Sequence, residues 1–336
     1  MPQQGQGNRL RLGTTAAVSA ATAAALGAGL TYLAADHLFR FALDTKSRFS
    51  MFTMAKDHHA SGPIHLDAQE ERKAAQWFEG SKHDVSVTNP EGLRLHAWSF
   101  DPDCAHPKPH RYAICCHGFG GGPEEMAKYA HRFARMGFAV LVPASRGQEL
   151  SDGRYIGMGW LERKDLAQWI RCIADMDVEA RILLDGVSMG AATVMMACGE
   201  ESLPHGVVAA IADCGYASAW DQFMFNAKSL YHLPRWVAAP IVQVMSLIAR
   251  HRAGYSFRQA SCVRQVEHAS IPMLFIHGGA DDFVSPASLG RVFHACASCQ
   301  KERLLIPNAG HALGASADPA MYWSRVNGFV KPLFGL

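Results

Sequence analysis

The chain has 336 residues, 49% of them hydrophobic, with 32 Lys and Arg against 30 Asp and Glu for a net charge of +2. That composition suits one large folded domain with an appendage and argues against a disordered chain. With balanced charge and no long basic run, a nucleic-acid partner is not expected.

The N-terminus carries Arg9 and Arg11, followed by an uncharged run from Leu12 to Ala35. At about 1.5 Å per residue such a run can reach across a hydrocarbon core of roughly 30 Å. It is rich in alanine, threonine and glycine, and no small-x-small cleavage site follows it, so residues 1–35 are expected to form an uncleaved signal anchor rather than a cleaved signal peptide. The arginines then place the rest of the chain on the extracytoplasmic side, at a cell membrane. Nine cysteines, an odd number and several in apolar runs, point the other way, toward a reducing cytoplasmic setting and no disulfide framework. Residues 36–80 read as a helical connector, with Phe39, Phe41, Leu43 and Phe49 available for packing.

From residue 81 onward the pattern is that of a catalytic domain. Val85–Val87 and Leu93–Ser99, joined by Asn-Pro-Glu-Gly, predict a hairpin. Strands at 111–116, 138–142, 181–185 and 207–212 then alternate with helices at 124–136, 161–175 and 189–199, which predicts a mostly parallel sheet with helices on both faces. The alternation breaks between Gly215 and Ser270, where apolar residues such as Trp220, Phe223, Met245 and Ile248 recur at helical spacing. Two or three inserted helices are expected there, forming a cap with an apolar face over the strand ends where ligands bind. Further strands are expected at 273–276 and 303–306.

The chemistry-bearing residues fall at strand ends. Gly186-Val187-Ser188-Met189-Gly190 joins a strand to a helix, and a sharp turn there would present Ser188 as a nucleophile. A serine needs a base, and the base needs an acid to fix its tautomer. Asp281 follows the strand at 273–276, and His311 follows the one at 303–306. Asp282 and Asp213 are the rival acids. Upstream, His117-Gly118-Phe119-Gly120-Gly121-Gly122 follows another strand and lacks the spacing of a phosphate loop. Backbone N–H groups of Phe119 and Met189 are therefore the candidate oxyanion donors. His117 and His277 are expected to brace their own loops. The 17 histidines are scattered and Cys296-Ala297-Ser298-Cys299 stands alone, so no metal or other cofactor is expected.

From about Lys82 to Phe334 the chain resembles the α/β-hydrolase-fold serine hydrolases, of the bacterial branch shared by esterase-like and prolyl-oligopeptidase-like members. H-G-F-G-G, G-V-S-M-G, H-G-G-A-D-D-F-V and N-A-G-H occur in family order, and Ala144–Gly153 is similar to the family's R-G-x-G-x-S loop with Gln148-Glu149 in place of small residues. The resemblance implies an α/β-hydrolase fold, with Ser188 as nucleophile, His311 as general base and acid, and Asp281 as orienter. Ala191 stands where the prolyl-oligopeptidase branch has a further glycine, which tilts the expectation toward ester or thioester hydrolysis over peptide cleavage or acyl transfer to another acceptor. A small-molecule acyl substrate is the expected partner. A catalytically silent binding scaffold is the rival from a different class.

Overall fold

The computed structural model describes residues 27–51 and 67–336. Its centre is an eight-stranded sheet: β1 His83–Thr88, β2 Arg94–Phe100, β3 Arg111–Cys116, β4 Ala139–Pro143, β5 Arg181–Val187, β6 Val207–Asp213, β7 Met273–Gly278 and β8 Lys301–Ile306, in spatial order 1-2-4-3-5-6-7-8. β1 and β2 form the expected hairpin, and β2 lies antiparallel on β4. All other pairings are parallel, which accounts for the helical crossovers between them.

The helices are α1 over 27–42, α2 Ala68–Ser81, α3 Ala127–Arg135, α4 Glu162–Met176, α5 Met189–Cys198, α6 Ala219–Ser229, α7 Arg235–Ala253, α8 Cys262–Val266, α9 Ala287–Ala295, α10 Gly314–Ala317 and α11 Pro319–Phe334. Side chains along a strand alternate between faces. Thus Ile182 and Leu184 of β5 join a core with α4, α5, α7 and α8, whereas Leu183 joins the opposite core with α2, α3 and α11. α5 is buried around its whole circumference, which explains a sequence with no polar face: it lies between the sheet, α4 and α8. The helix expected at 124–136 begins as a 3-10 turn, Pro123–Met126, before the α-helical geometry of α3.

The anchor expected at 1–35 falls largely outside the described residues. Among the described residues no helix is long and apolar enough to cross a membrane. The described end of that run continues into α1, which docks on the domain built around the sheet. Ala35, Phe39 and Leu43 are fully buried in the core that contains α4, α5 and α7. Ion pairs fix the docking: Asp36 meets Arg252 of α7 at 2.7 Å, and Asp44 receives two guanidinium nitrogens of Arg154 at 3.0 and 2.9 Å. α2 is tied to α3 by Lys128, which lies 2.7 Å from Asp67 and 3.0 Å from Glu71, and Phe78 packs on Phe100 with ring centroids 4.7 Å apart. The described parts of the segment 36–80, in α1 and α2, are therefore built into the same cores as the residues after them.

If α1 is integral, truncating its most buried ring leaves a cavity. Phe→Ala changes in a core cost about 3–5 kcal/mol. Phe39→Ala is thus expected to lower the melting temperature by roughly 6 °C or more, at about 2 °C per kcal/mol for a chain of this size. An unchanged melting curve would show that α1 rests on the surface without supporting the core.

Candidate active site

The site is built around the turn between β5 and α5. Ser188 has φ 58° and ψ −114°, a conformation that a side-chain-bearing residue adopts at a cost of about 1–3 kcal/mol. The flanking glycines are steric requirements. A Cβ at Gly190 would lie 2.0 Å from the carbonyl oxygen of Cys116, and one at Gly186 would lie 2.4 Å from the carbonyl carbon of Gly190. Only glycine lets α5 come this close to β3 and fold this sharply out of β5. The Ser188 N–H donates to the Asp213 carbonyl at 2.8 Å and its carbonyl accepts from Ala192 N–H at 3.0 Å, so strand β6 and the first turn of α5 hold the strained residue from both sides.

Ser188 Oγ lies 2.9 Å from Nε2 of His311, and Nδ1 of His311 lies 2.8 Å from Oδ2 of Asp281. The structure thus brings together the three side chains that the sequence places 123 and 30 residues apart. The loops carrying the last two are stitched to each other: the N–H of Gly279 donates to Ile306 and that of Ala280 to Ala309. A Cβ at Gly278 would sit 2.3 Å from the Ala309 carbonyl oxygen, so the H-G-G sequence permits this approach.

Asp281 opens with a cost and recovers it. Burial alone would raise its pKa, but hydrogen bonds from His277 and His311 and from the Val284 N–H outweigh burial and hold the carboxyl well below the usual carboxylate range. Its Oδ1 accepts from the N–H groups of Phe283 and Val284 at 3.0 and 2.8 Å. An ionised carboxylate can only accept, so Nδ1 of His311 carries the proton and Nε2 is left to accept from the Ser188 hydroxyl. Nε2 of His277 is 3.2 Å from Asp281 Oδ2 and 3.3 Å from the Val284 carbonyl, two acceptors that require it to be protonated as well. His277 therefore does more than brace its own loop: it is a second donor to the same carboxylate. Sequence could have suggested it only through the H-x-x-x-D spacing.

The rival acids are engaged differently. Asp213 accepts from the Tyr322 hydroxyl at 3.0 Å. Asp282 has an exposed side chain. The upstream glycine loop runs beside the serine, where a Cβ at Gly118 would lie 3.4 Å from Ser188 Cβ. His117 fixes that loop by donating from Nδ1 to the Gly118 carbonyl at 2.8 Å and accepting the Ser145 N–H at Nε2, 3.0 Å away. It thus links the loop after β3 to the loop after β4 rather than bracing its own loop alone, and burial lowers its pKa so that it stays neutral. Met189 is the first residue of α5, and Phe119 lines the same cavity as Ser188.

That cavity has a volume of about 460 Å³. Its walls come from α6 and α7, among them Phe223, Ile241 and Met245, from Phe119 and Phe283, and from α1. No Asp, Glu, Lys or Arg lines it among the described residues. The inserted segment between β6 and β7 forms three helices, α6 to α8, of which α6 and α7 cover Ser188 while Cys262 and Val266 of α8 are buried in the core. Among the described residues no group of three or more His, Cys, Asp or Glu side chains is arranged to hold a metal ion. Cys296 is buried 3.8 Å from the Met273 sulfur, and Cys299 is exposed.

A family model described as serine aminopeptidase, S33, matches residues 248–316, the stretch that carries Asp281 and His311. The chain is 26% identical over 238 residues to the uncharacterized protein YqkD of Bacillus subtilis, covering 70% of this chain and 76% of that one. Among solved structures, the esterase Pf2001 of Pyrococcus furiosus superposes with a TM-score of 0.58 at 20% identity, over 75% of this chain and 92% of that chain. The acylaminoacyl peptidase of Pyrococcus horikoshii gives 0.54 at 16% identity, over 74% of this chain and 40% of that chain. The protein is an α/β hydrolase by fold. Its resemblance is to the serine hydrolases of that fold, among which both esterases and peptidases occur.

Beneath the site lies a pair of buried acids. Asp185 of β5 is 1% exposed, its Oδ2 has no hydrogen-bond partner, and burial together with the nearby Asp213 raises its pKa well above the ordinary value. Burial raises Asp213 as well. A carboxyl raised in the fold keeps a proton that the unfolded chain releases near pH 4, so stability falls with rising pH by about 1.4 kcal/mol per unit for each such proton, until the folded pKa is reached. Asp185→Asn, which cannot ionise, is expected to flatten the decline that sets in above about pH 4 in urea unfolding. An unchanged slope would mean that Asp185 is ionised in the native protein.

Proposed function

We propose that the chain is a serine hydrolase that cleaves an ester or thioester through an acyl-enzyme. The observation that carries the reading is the continuous chain of hydrogen bonds from Ser188 through His311 to Asp281, with Ser188 at the end of an apolar cavity. His311 takes the Ser188 proton as Oγ attacks the carbonyl carbon, then returns it to the leaving group as that bond breaks. Asp281 orients the imidazole and stabilises its charged form. Backbone N–H groups of Phe119 and Met189 receive the oxyanion, each worth roughly 3 kcal/mol to the transition state. Water, activated by His311 in turn, releases the acid and regenerates Ser188.

Two names favour a second reading, peptide cleavage: that of the matching family model and that of the acylaminoacyl peptidase. An aminopeptidase must hold the charged amine of its substrate, which in a desolvated site calls for a carboxylate. The absence of any such group from the cavity wall among the described residues supports ester or thioester cleavage instead. Acyl transfer to an acceptor other than water uses the same residues and differs only in the last step.

Ser188→Ala is expected to lose labelling by a fluorophosphonate probe and to lower kcat on aryl esters by roughly a million-fold, with the fold intact. Asp281→Asn should cost on the order of 10⁴ in kcat, and Asp213→Asn much less. Labelling of the Ser188→Ala protein, or a larger loss in Asp213→Asn, would overturn the assignment.

We further propose that the chain is held at a membrane through the part of the run Leu12–Ala35 that precedes the docked residues of α1, with the catalytic unit on the extracytoplasmic side. Arg9 and Arg11 support that orientation. The protein should remain in the membrane fraction after alkaline carbonate, with Met1 present by mass. Recovery in the soluble fraction with Met1 intact would refute it.

A further inference from the structure

We propose that α1 forms one wall of the acyl site, and that the substrate carries a long unbranched acyl chain whose tail lies between α1 and the α6–α7 pair. The inference deepens the hydrolase reading and rests on it for the placement of the carbonyl at Ser188.

Three observations meet here. First, Ala34, His37, Leu38, Phe41 and Ala42 of α1 line the same cavity as Ser188. They fall at helical spacing on one side of α1, while Ala35, Phe39 and Leu43 occupy the adjacent side and are buried in the core. The helix therefore divides its apolar surface between two tasks, docking and lining. Second, the wall is held in place. The Asp36–Arg252 ion pair joins α1 to α7, the guanidinium of Arg252 stacks over the Phe39 ring at 5.5 Å, and Asp44 is clamped by Arg154. Third, the cavity is sized for a chain. At about 460 Å³ it is three times the roughly 150 Å³ that takes up one benzene ring, which corresponds to roughly 12 to 18 carbon atoms.

The polarity of the wall agrees. No Asp, Glu, Lys or Arg lines it among the described residues, His37 and the Tyr216 hydroxyl are polar points on a mostly apolar wall, and the Gln222 amide is already spent on Phe283 and Asn226, to whose oxygens it donates at 2.8 and 3.1 Å. Leu230 and Tyr231 both line the cavity and are exposed, and on α1 Leu30, one turn before Ala34, and Leu33, the residue before it, are exposed as well. A chain can thus enter across an apolar rim. Burying each further methylene against such walls is worth up to about fourfold in kcat/KM until the space is filled.

The test uses the full-length protein and 4-nitrophenyl esters from acetyl to hexadecanoyl. Wild type is expected to rise with chain length to an optimum at ten carbons or longer. Leu38→Trp, which fills the space, should lower the dodecanoyl-to-butanoyl ratio of kcat/KM by tenfold or more. Leu38→Ala, which enlarges it, should move the optimum to longer chains. Opposite shifts from one position would not follow from a packing role alone. Met176→Ala, an exposed change on α4, serves as the control and should leave the profile unchanged. A flat wild-type profile, or equal losses on every ester in both Leu38 variants, would overturn the inference. Binding of cis-parinaric acid to the Ser188→Ala protein gives a readout without turnover and separates the two readings. If no ester is hydrolysed but this fatty acid binds and Leu38→Trp weakens it fivefold or more, the acyl site stands and the hydrolase reading falls. If the fatty acid does not bind, the acyl site falls whatever the hydrolytic result.

Discussion

The rest of the structure depends on one steric constraint, the contact between Gly190 and the carbonyl of Cys116. It brings α5 against β3 closely enough for the chain to leave β5 through a residue at φ 58°, and that conformation raises the Ser188 hydroxyl above the sheet. Strain of this kind persists only where its surroundings over-determine it. Here they do so through the buried, nonpolar circumference of α5 and the hydrogen bond from the Ser188 N–H to Asp213. Bulk at Gly186 or Gly190 would therefore reach the chemistry by tilting a helix, without touching His311 or Asp281.

The electrostatics divide in two across the same strands. On the loop side, Asp281 is kept ionised by four hydrogen-bond donors, two of them imidazoles. Within the sheet, burial pushes Asp185 and Asp213 toward the neutral form, and Asp213 adds to the effect on Asp185. A carboxylate that must stabilise a developing imidazolium has to be charged at working pH, and an acid between packed strands is tolerated most cheaply without charge. Three acids of one residue type are thus shifted in opposite directions, because four donors meet Asp281 whereas Asp213 has the Tyr322 hydroxyl and Oδ2 of Asp185 has no partner.

The N-terminal helix gives the molecule a different character from that of a catalytic unit hung on a tether. Phe39 and Leu43 are buried in the core while their neighbours line the cavity, so α1 couples stability to the shape of the cavity beside Ser188. A segment that reads as connector in a linear view acts as a structural wall, because α7 and the loop carrying Arg154 supply cations for Asp36 and Asp44.

By itself the sequence determined the strand-helix alternation, the sheet hairpin, and the residue types at the strand ends. Those depend on local periodicity and on motifs whose spacing is set by a turn, as in Gly186–Gly190, and such information lies within a few residues of chain. The family resemblance of H-G-G-A-D-D-F-V already ranked Asp281 ahead of Asp213, but the contact with His311 is a tertiary fact. Both follow a strand, and only the stitching of the β7 and β8 loops decides which carboxylate His311 meets. The tie between His277 and Asp281, and the bridge from His117 to Ser145, were likewise beyond reach, since a buried histidine in sequence does not show what its second nitrogen faces. The double role of α1 came last of all. Its apolar residues mark it as a helix that packs, but its partners lie more than 100 residues away, in α6, α7 and the Arg154 loop, and long-range packing alone assigns each side of the helix to core or cavity.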